Sequence, residues 1–117
     1  MAIDTMKKGS IEMLVLFLLC EGDAYGYQLA QQIKERSGGV LSVQEGSFYP
    51  LLYRLADDGF ITGKETFVKM KTGRSRMRIM YHLEPAGRER LRVLREEYEA
   101  VHRGIQNILN SGEVDAS

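Results

Sequence analysis

One cysteine, two prolines, no surplus of either charge and no long apolar run: these are what the 117-residue sequence has least of. Cys20 alone excludes an internal disulfide and any zinc cluster built on several cysteines, and its apolar surroundings in sequence point to an inert, buried thiol. The longest unbroken apolar stretch, residues 13–20, is too short to cross a bilayer, and no basic-then-apolar leader opens the chain. The expectation is a soluble, cytoplasmic protein with no membrane contact. A phosphate loop, a dinucleotide fingerprint, a metal motif and a nucleophile elbow are all missing, so neither catalysis nor a cofactor is expected. His82 and His102 stand far apart without a local ligand set and read as surface or packing residues, with no metal.

What is present is the composition of a folded domain, 44% apolar and 27% charged, at a length that suits one domain rather than two. Residues 10–20 carry Ile11, Leu14, Val15 and Leu18 at helical spacing, with Ser10 placed to cap the free amides. The opposite side holds Met13, Leu16, Phe17, Leu19 and Cys20, and a helix apolar all round must be covered on more than one side, which points to a second chain. Residues 25–37 form an ordinary surface helix on Leu29, Ala30 and Ile33, stopped by Gly38-Gly39. Residues 45–58 repeat Phe48, Leu51, Leu52 and Leu55, with Gly59 as terminator; Pro50 opposes the carbonyl of Gly46 and predicts a kinked or loose first turn.

From Phe60 the apolar period becomes two. Residues 60–71 and 77–83 read as the arms of a hairpin around the turn 71–74. Pro85 then opens a last helix in which Leu91, Leu94, Tyr98, Val101, Ile105 and Ile108 recur at intervals of 3, 4, 3, 4, 3, a heptad seam, before a frayed tail. The expected fold is mainly α with a small β-hairpin: a winged helix-turn-helix over 1–83, a long C-terminal dimerisation helix over 84–110 and a frayed tail over 111–117.

In that element order the third helix enters a DNA major groove and the hairpin grips the flanking backbone. Charge is distributed accordingly. Residues 1–59 hold 5 basic and 8 acidic side chains, residues 60–83 hold 6 and 1, and residues 84–117 hold 5 and 7, so the segments carry −3, +5 and −2. The hairpin cations, Lys64, Lys69, Lys71, Arg74, Arg76 and Arg78 against Glu65, suit phosphate contact, with a merely solvated turn as the alternative. On the third helix, burial of Phe48 turns Gly46, Pro50, Tyr53, Arg54 and Asp57 outward and puts Ser47 and Tyr49 on the flanks. Arg54 suits a guanine or a phosphate, or a salt bridge to Asp57 or Asp58; Tyr49 suits phosphate contact or half-buried packing.

Gly26-Tyr27-Gln28-Leu29, the string Gly46-Ser47-Phe48-Tyr49-Pro50-Leu51-Leu52-Tyr53-Arg54-Leu55, Asp58-Gly59-Phe60-Ile61, and Tyr81-His82-Leu83 followed by Gly87 resemble the PadR family of bacterial transcriptional regulators. The likeness covers about residues 10–108. It implies a homodimeric winged-helix repressor of the short form, paired through its C-terminal helix and the partner's N-terminal helix, and released from its operator by a small molecule or another signal. Family DNA contacts fall on Tyr27, Ser47, Tyr49, Tyr53 and the basic wing tip. Two positions depart from the family pattern: Glu84-Pro85 stands where the last helix usually follows Leu-Thr, and Glu45 stands where proline is frequent.

A last helix of about 24 residues is about 36 Å long, longer than such a domain is wide, so its seam should pair with a second copy through Leu91, Leu94, Tyr98, Val101, Ile105 and Ile108, joined by Leu14 and Phe17. Two-fold pairing implies an inverted-repeat operator with half-sites roughly 34–36 Å apart. Met6, Met13, Phe17 and Tyr98 are candidates to line a pocket for a small apolar or aromatic effector, or else plain core. A winged helix that binds an acidic protein rather than DNA is the rival reading.

Overall fold

A computed structural model describes residues 3–4 and 8–113. The chain order is β1 (Ile3–Asp4), α1 (Lys8–Cys20), β2 (Ala24–Tyr25), α2 (Gly26–Arg36), β3 (Leu41–Ser42), α3 (Glu45–Asp57), β4 (Ile61–Lys69), β5 (Ser75–Leu83) and α4 (Pro85–Glu113). β4 and β5 form the expected hairpin, in register from Ile61 opposite Leu83 to Lys69 opposite Ser75. β2 adds a third, antiparallel strand on the far side of β5, and β1 pairs in parallel with β3. The fold is a mostly helical winged helix.

The core explains the arrangement. Val15, Leu16, Leu29, Leu52, Leu55 and Ile61 are fully buried with Phe48, so the apolar stripes of α1, α2 and α3 meet over the base of the hairpin. α1 is central: Ile11, Val15, Leu16, Leu18 and Leu19 are all covered within the chain, against α2, β5 and α4. Its all-round apolarity therefore needs less of a second chain than the sequence suggests, and only Met13, Leu14, Phe17 and Cys20 stay half-buried. Ser10 is not the cap of α1, which already begins at Lys8.

Pro50 does not break α3. Ser47 and Phe48 N–H both donate to Gln44 O, at 3.1 and 2.8 Å, which closes the first turn, and the proline costs only the bond to the Gly46 carbonyl at an exposed position. Gly59 ends the helix with φ of 81°, which lets Phe60 N–H donate back to Leu55 O at 3.0 Å.

α4 corrects two expectations. Helix continues through Glu113 rather than ending at residue 110, and Ser111 Oγ donates to Ile108 O at 2.8 Å. Leu91 and Leu94, expected in a dimer seam, are buried in the chain's own core beside α1, because α1 lies along the first turns of α4. Farther out, Tyr98, Val101, Ile105 and Ile108 are exposed, together with Leu109, which the heptad reading omitted.

Candidate nucleic-acid interface

Three elements converge on one aromatic surface. At the start of α2, Tyr25 N–H donates to Gln28 Oε1 at 2.9 Å, fixing the entry of the chain into the helix. The helix then begins at Gly26, where a Cβ would stand 2.7 Å from Tyr49 Cε1; the absent side chain is what lets α2 meet α3 so closely. Tyr27 stacks on Tyr25 with ring centroids 5.8 Å apart, and the Arg78 guanidinium from β5 lies 4.7 Å over the Tyr27 ring, a cation–π contact that joins α2 to the wing.

On α3, Gly46, Ser47, Pro50, Tyr53, Arg54 and Asp57 are exposed and Tyr49 is half-buried, its ring edge-on to Phe48. Ser47 Oγ donates to Gln44 O at 3.3 Å. Beneath Tyr53 and Tyr49 lies the buried Tyr81 of β5. Burial pushes its phenol pKa above the ordinary 10.0, and the neighbouring Tyr53 and Tyr49 phenols add to the shift.

Arg54 has a partner that local spacing did not suggest. Its Nη2 donates to Glu12 Oε1 at 3.3 Å, not to Asp57 or Asp58, and Arg90 Nε of α4 donates to Glu12 Oε2 at 2.8 Å. Glu12 is the one buried charged side chain among the described residues. One carboxylate therefore ties α1 to both α3 and α4, and bonding to it raises the Arg90 pKa. The only sequence signal was a lone acid inside an apolar helix.

The wing is closed by Met70 N–H donating to Arg74 O at 2.7 Å and Gly73 N–H to Met70 O at 2.9 Å, with Gly73 at φ 88°. Lys71 and Thr72 form its tip. Lys64, Lys69, Lys71, Arg74 and Arg76 are exposed. Among the described residues none of the six hairpin cations takes part in an ion pair, and unpaired charge on a rigid ribbon is what phosphate contact requires.

Residues 15–93 match the family described as "Transcriptional regulator PadR-like family". The chain belongs to that family. The negative transcriptional regulator PadR of Bacillus subtilis is 32% identical over 81 residues, covering 69% of this chain and 42% of its own length. The chain thus spans less than half the length of the curated relatives it matches. A transcriptional regulator from Clostridium thermocellum superposes with a TM-score of 0.74 at 26% identity, over 86% of this chain and 93% of that one. The B. subtilis PadR crystal structure in complex with operator DNA does so with a TM-score of 0.62 at 31% identity, over 71% of this chain and 45% of that one. The PadR-like family is one of regulators and not of enzymes; among the described residues no acidic, histidine and cysteine group could hold a metal, and no helix is long and apolar enough to cross a membrane.

The remaining expected site residues of this PadR-like chain are dispersed. Met6 lies outside the described residues, Met13 packs on the core, and Tyr98 stacks on His102 at 6.0 Å on α4. Phe17 instead stands between two guanidinium groups, Arg36 at 6.0 Å and Arg95 at 5.8 Å. It lines a shallow groove of about 320 Å³ with Leu14, Ile33 and Leu41. Cys20 is half-buried, not sealed, and Arg88 Nη1 lies 3.7 Å from its sulfur. His82 Nδ1 is 2.7 Å from Asp23 Oδ1 at the surface.

Proposed function

We propose that the chain acts as a homodimeric repressor that binds an inverted-repeat operator and is released by a signal, working in the cytoplasm where its DNA is. The exposed face of α3, with Gly46, Ser47, Tyr49 and Tyr53, lies in the major groove, Tyr27 meets the adjacent backbone, and Lys69, Lys71, Arg74 and Arg76 hold the phosphates flanking the site. The observation that carries this reading is the set of five exposed cations without ion-pair partners on a hairpin that Arg78 joins to α2 through Tyr27, in a chain of zero net charge. The B. subtilis relative crystallised with operator DNA supports it.

Pairing rests on the outer half of α4. Tyr98, Val101, Ile105 and Ile108 offer a second copy an apolar stripe, with Leu14 and Phe17 half-buried on α1, whereas Leu91 and Leu94 anchor the helix at home. The groove beside Phe17 is where a small apolar or aromatic effector would bind.

A salt series tests the reading. Replacing Lys69, Lys71 and Arg74 by alanine should weaken binding to all duplexes and flatten the slope of log affinity against log salt by about 2.7 per subunit, at roughly 0.9 per phosphate contact. An unchanged slope removes the wing from the interface, and equal weak affinity for every duplex favours an acidic protein partner.

A further inference from the structure

The outer end of the hairpin carries apolar surface that the fold does not use. Phe67 and Met77 are paired directly across the strands and are 77% and 44% exposed. On the same sheet face, the rungs Glu65–Ile79, Gly63–Tyr81 and Ile61–Leu83 become progressively buried toward the core. Beyond them the face continues into solvent, ending on the cationic rung Lys69–Ser75.

An exposed phenylalanine on β4, an edge strand, invites self-association unless something covers it. Charge decides what does. Lys69 on the same face and Lys71 and Arg74 at the turn flank the pair, with Lys64, Arg76 and Arg78 on the opposite face of the hairpin, against the single acid Glu65, which stands one same-face rung closer to the core. A second hairpin would set six cations against six, which like-charge repulsion opposes. An occupant with anionic rims and an apolar interior satisfies both demands, and the minor groove, walled by deoxyribose between two rows of phosphates, is such a surface.

We infer that Phe67, backed by Met77, is an apolar wedge of the wing that packs into the minor groove beside the half-site. It reads the deformability of the flanking step and favours pyrimidine–purine steps, which open most easily. This rests on the DNA-binding reading above and adds to it a specificity element distinct from the cations, which meet phosphates of any sequence.

The test uses a duplex selected from a random pool by the full chain, with TA or AA placed at each flanking step and 2-aminopurine beside it. Phe67→Ala should bind about tenfold more weakly with the salt slope unchanged, because no charge is lost. It should also lose the preference for TA over AA, and the 2-aminopurine brightening seen with the parent protein should vanish; Phe67→Leu should restore most of the affinity. Affinity and TA preference equal to the parent overturn the inference. So does a change in sedimentation or in melting temperature for Phe67→Ala, since the ring would then cover a second copy or support the fold. If the parent protein enriches no sequence at all, the regulator reading itself fails and takes the wedge with it.

Discussion

Replacing Glu12 by glutamine isolates the one charged junction inside the fold. The carboxylate receives Arg54 and Arg90 at 3.3 and 2.8 Å; the amide keeps the shape and one acceptor but turns an N–H toward the other guanidinium. A hydrogen bond to a charged group contributes about 1.5–3 kcal/mol when fully sheltered. Here the two arginine side chains are 48% and 38% exposed, so solvent screening reduces each to about 1 kcal/mol. The sum, about 2 kcal/mol, falls below the roughly 3–5 kcal/mol of a fully buried pair that loses one partner. For a chain of this size that lowers the melting temperature by roughly 8 °C. Circular dichroism melts at one fixed concentration read it, since assembly makes the midpoint concentration-dependent. A cycle with Arg90→Met should return a coupling of about 1 kcal/mol. Superimposable melts of parent and Glu12→Gln would refute the view that this carboxylate helps hold α1, α3 and α4 together.

Gly87→Ala would place a Cβ 2.1 Å from the Phe60 carbonyl oxygen and 2.6 Å from Leu83 Cδ1; it should cost about 3 kcal/mol by denaturant titration, while Gly104→Ala, in open space, should gain about 1 kcal/mol from helix propensity. Because Tyr81 is held neutral in the fold, with its pKa above 10.0, its contribution is complete below the unfolded-state pKa and is lost as pH rises through the folded-state pKa. Tyr81→Phe should therefore flatten the alkaline fall of the melting temperature, and an identical fall in both proteins counts against the buried phenol. Ile105→Glu, on the exposed stripe of α4, should weaken the proposed dimer by about 2 kcal/mol or more, as analytical ultracentrifugation would show.

Elements whose signal lies within one turn or one strand were legible. The four helices, the hairpin and the outward set on α3 followed from spacing alone, because periods of 3.6 and 2 survive any tertiary context that buries one face. Strands of two residues such as Ala24–Tyr25 are too short to show alternation and exist only through the partners that pair with them. Arg54 marks the same limit. Its local choices were Asp57 and Asp58, but Glu12, separated by 42 residues in sequence, offers a sheltered carboxylate where the nearby acids offer exposed ones. The heptad stripe was legible too, yet its division was not: nothing in Leu91, Leu94, Tyr98 and Val101 says that α1 runs beside the first pair and stops short of the second.

That division gives the two halves of α4 different supports. Up to Leu94, α4 is bound to the body by buried leucines and by Arg90 on Glu12. Beyond it the helix continues for roughly 28 Å with every described side chain exposed, held by contacts along itself such as the Tyr98–His102 stack and the Arg92–Glu96 pair at 2.8 Å. A helix of that length is marginal in water unless its apolar face is covered, so its outer half and the proposed partner stabilise each other. The root of that lever is the carboxylate that also holds Arg54 on α3. Glu12, which Arg90 of α4 and Arg54 of α3 share, therefore ties the inner half of α4 to α3 within the chain.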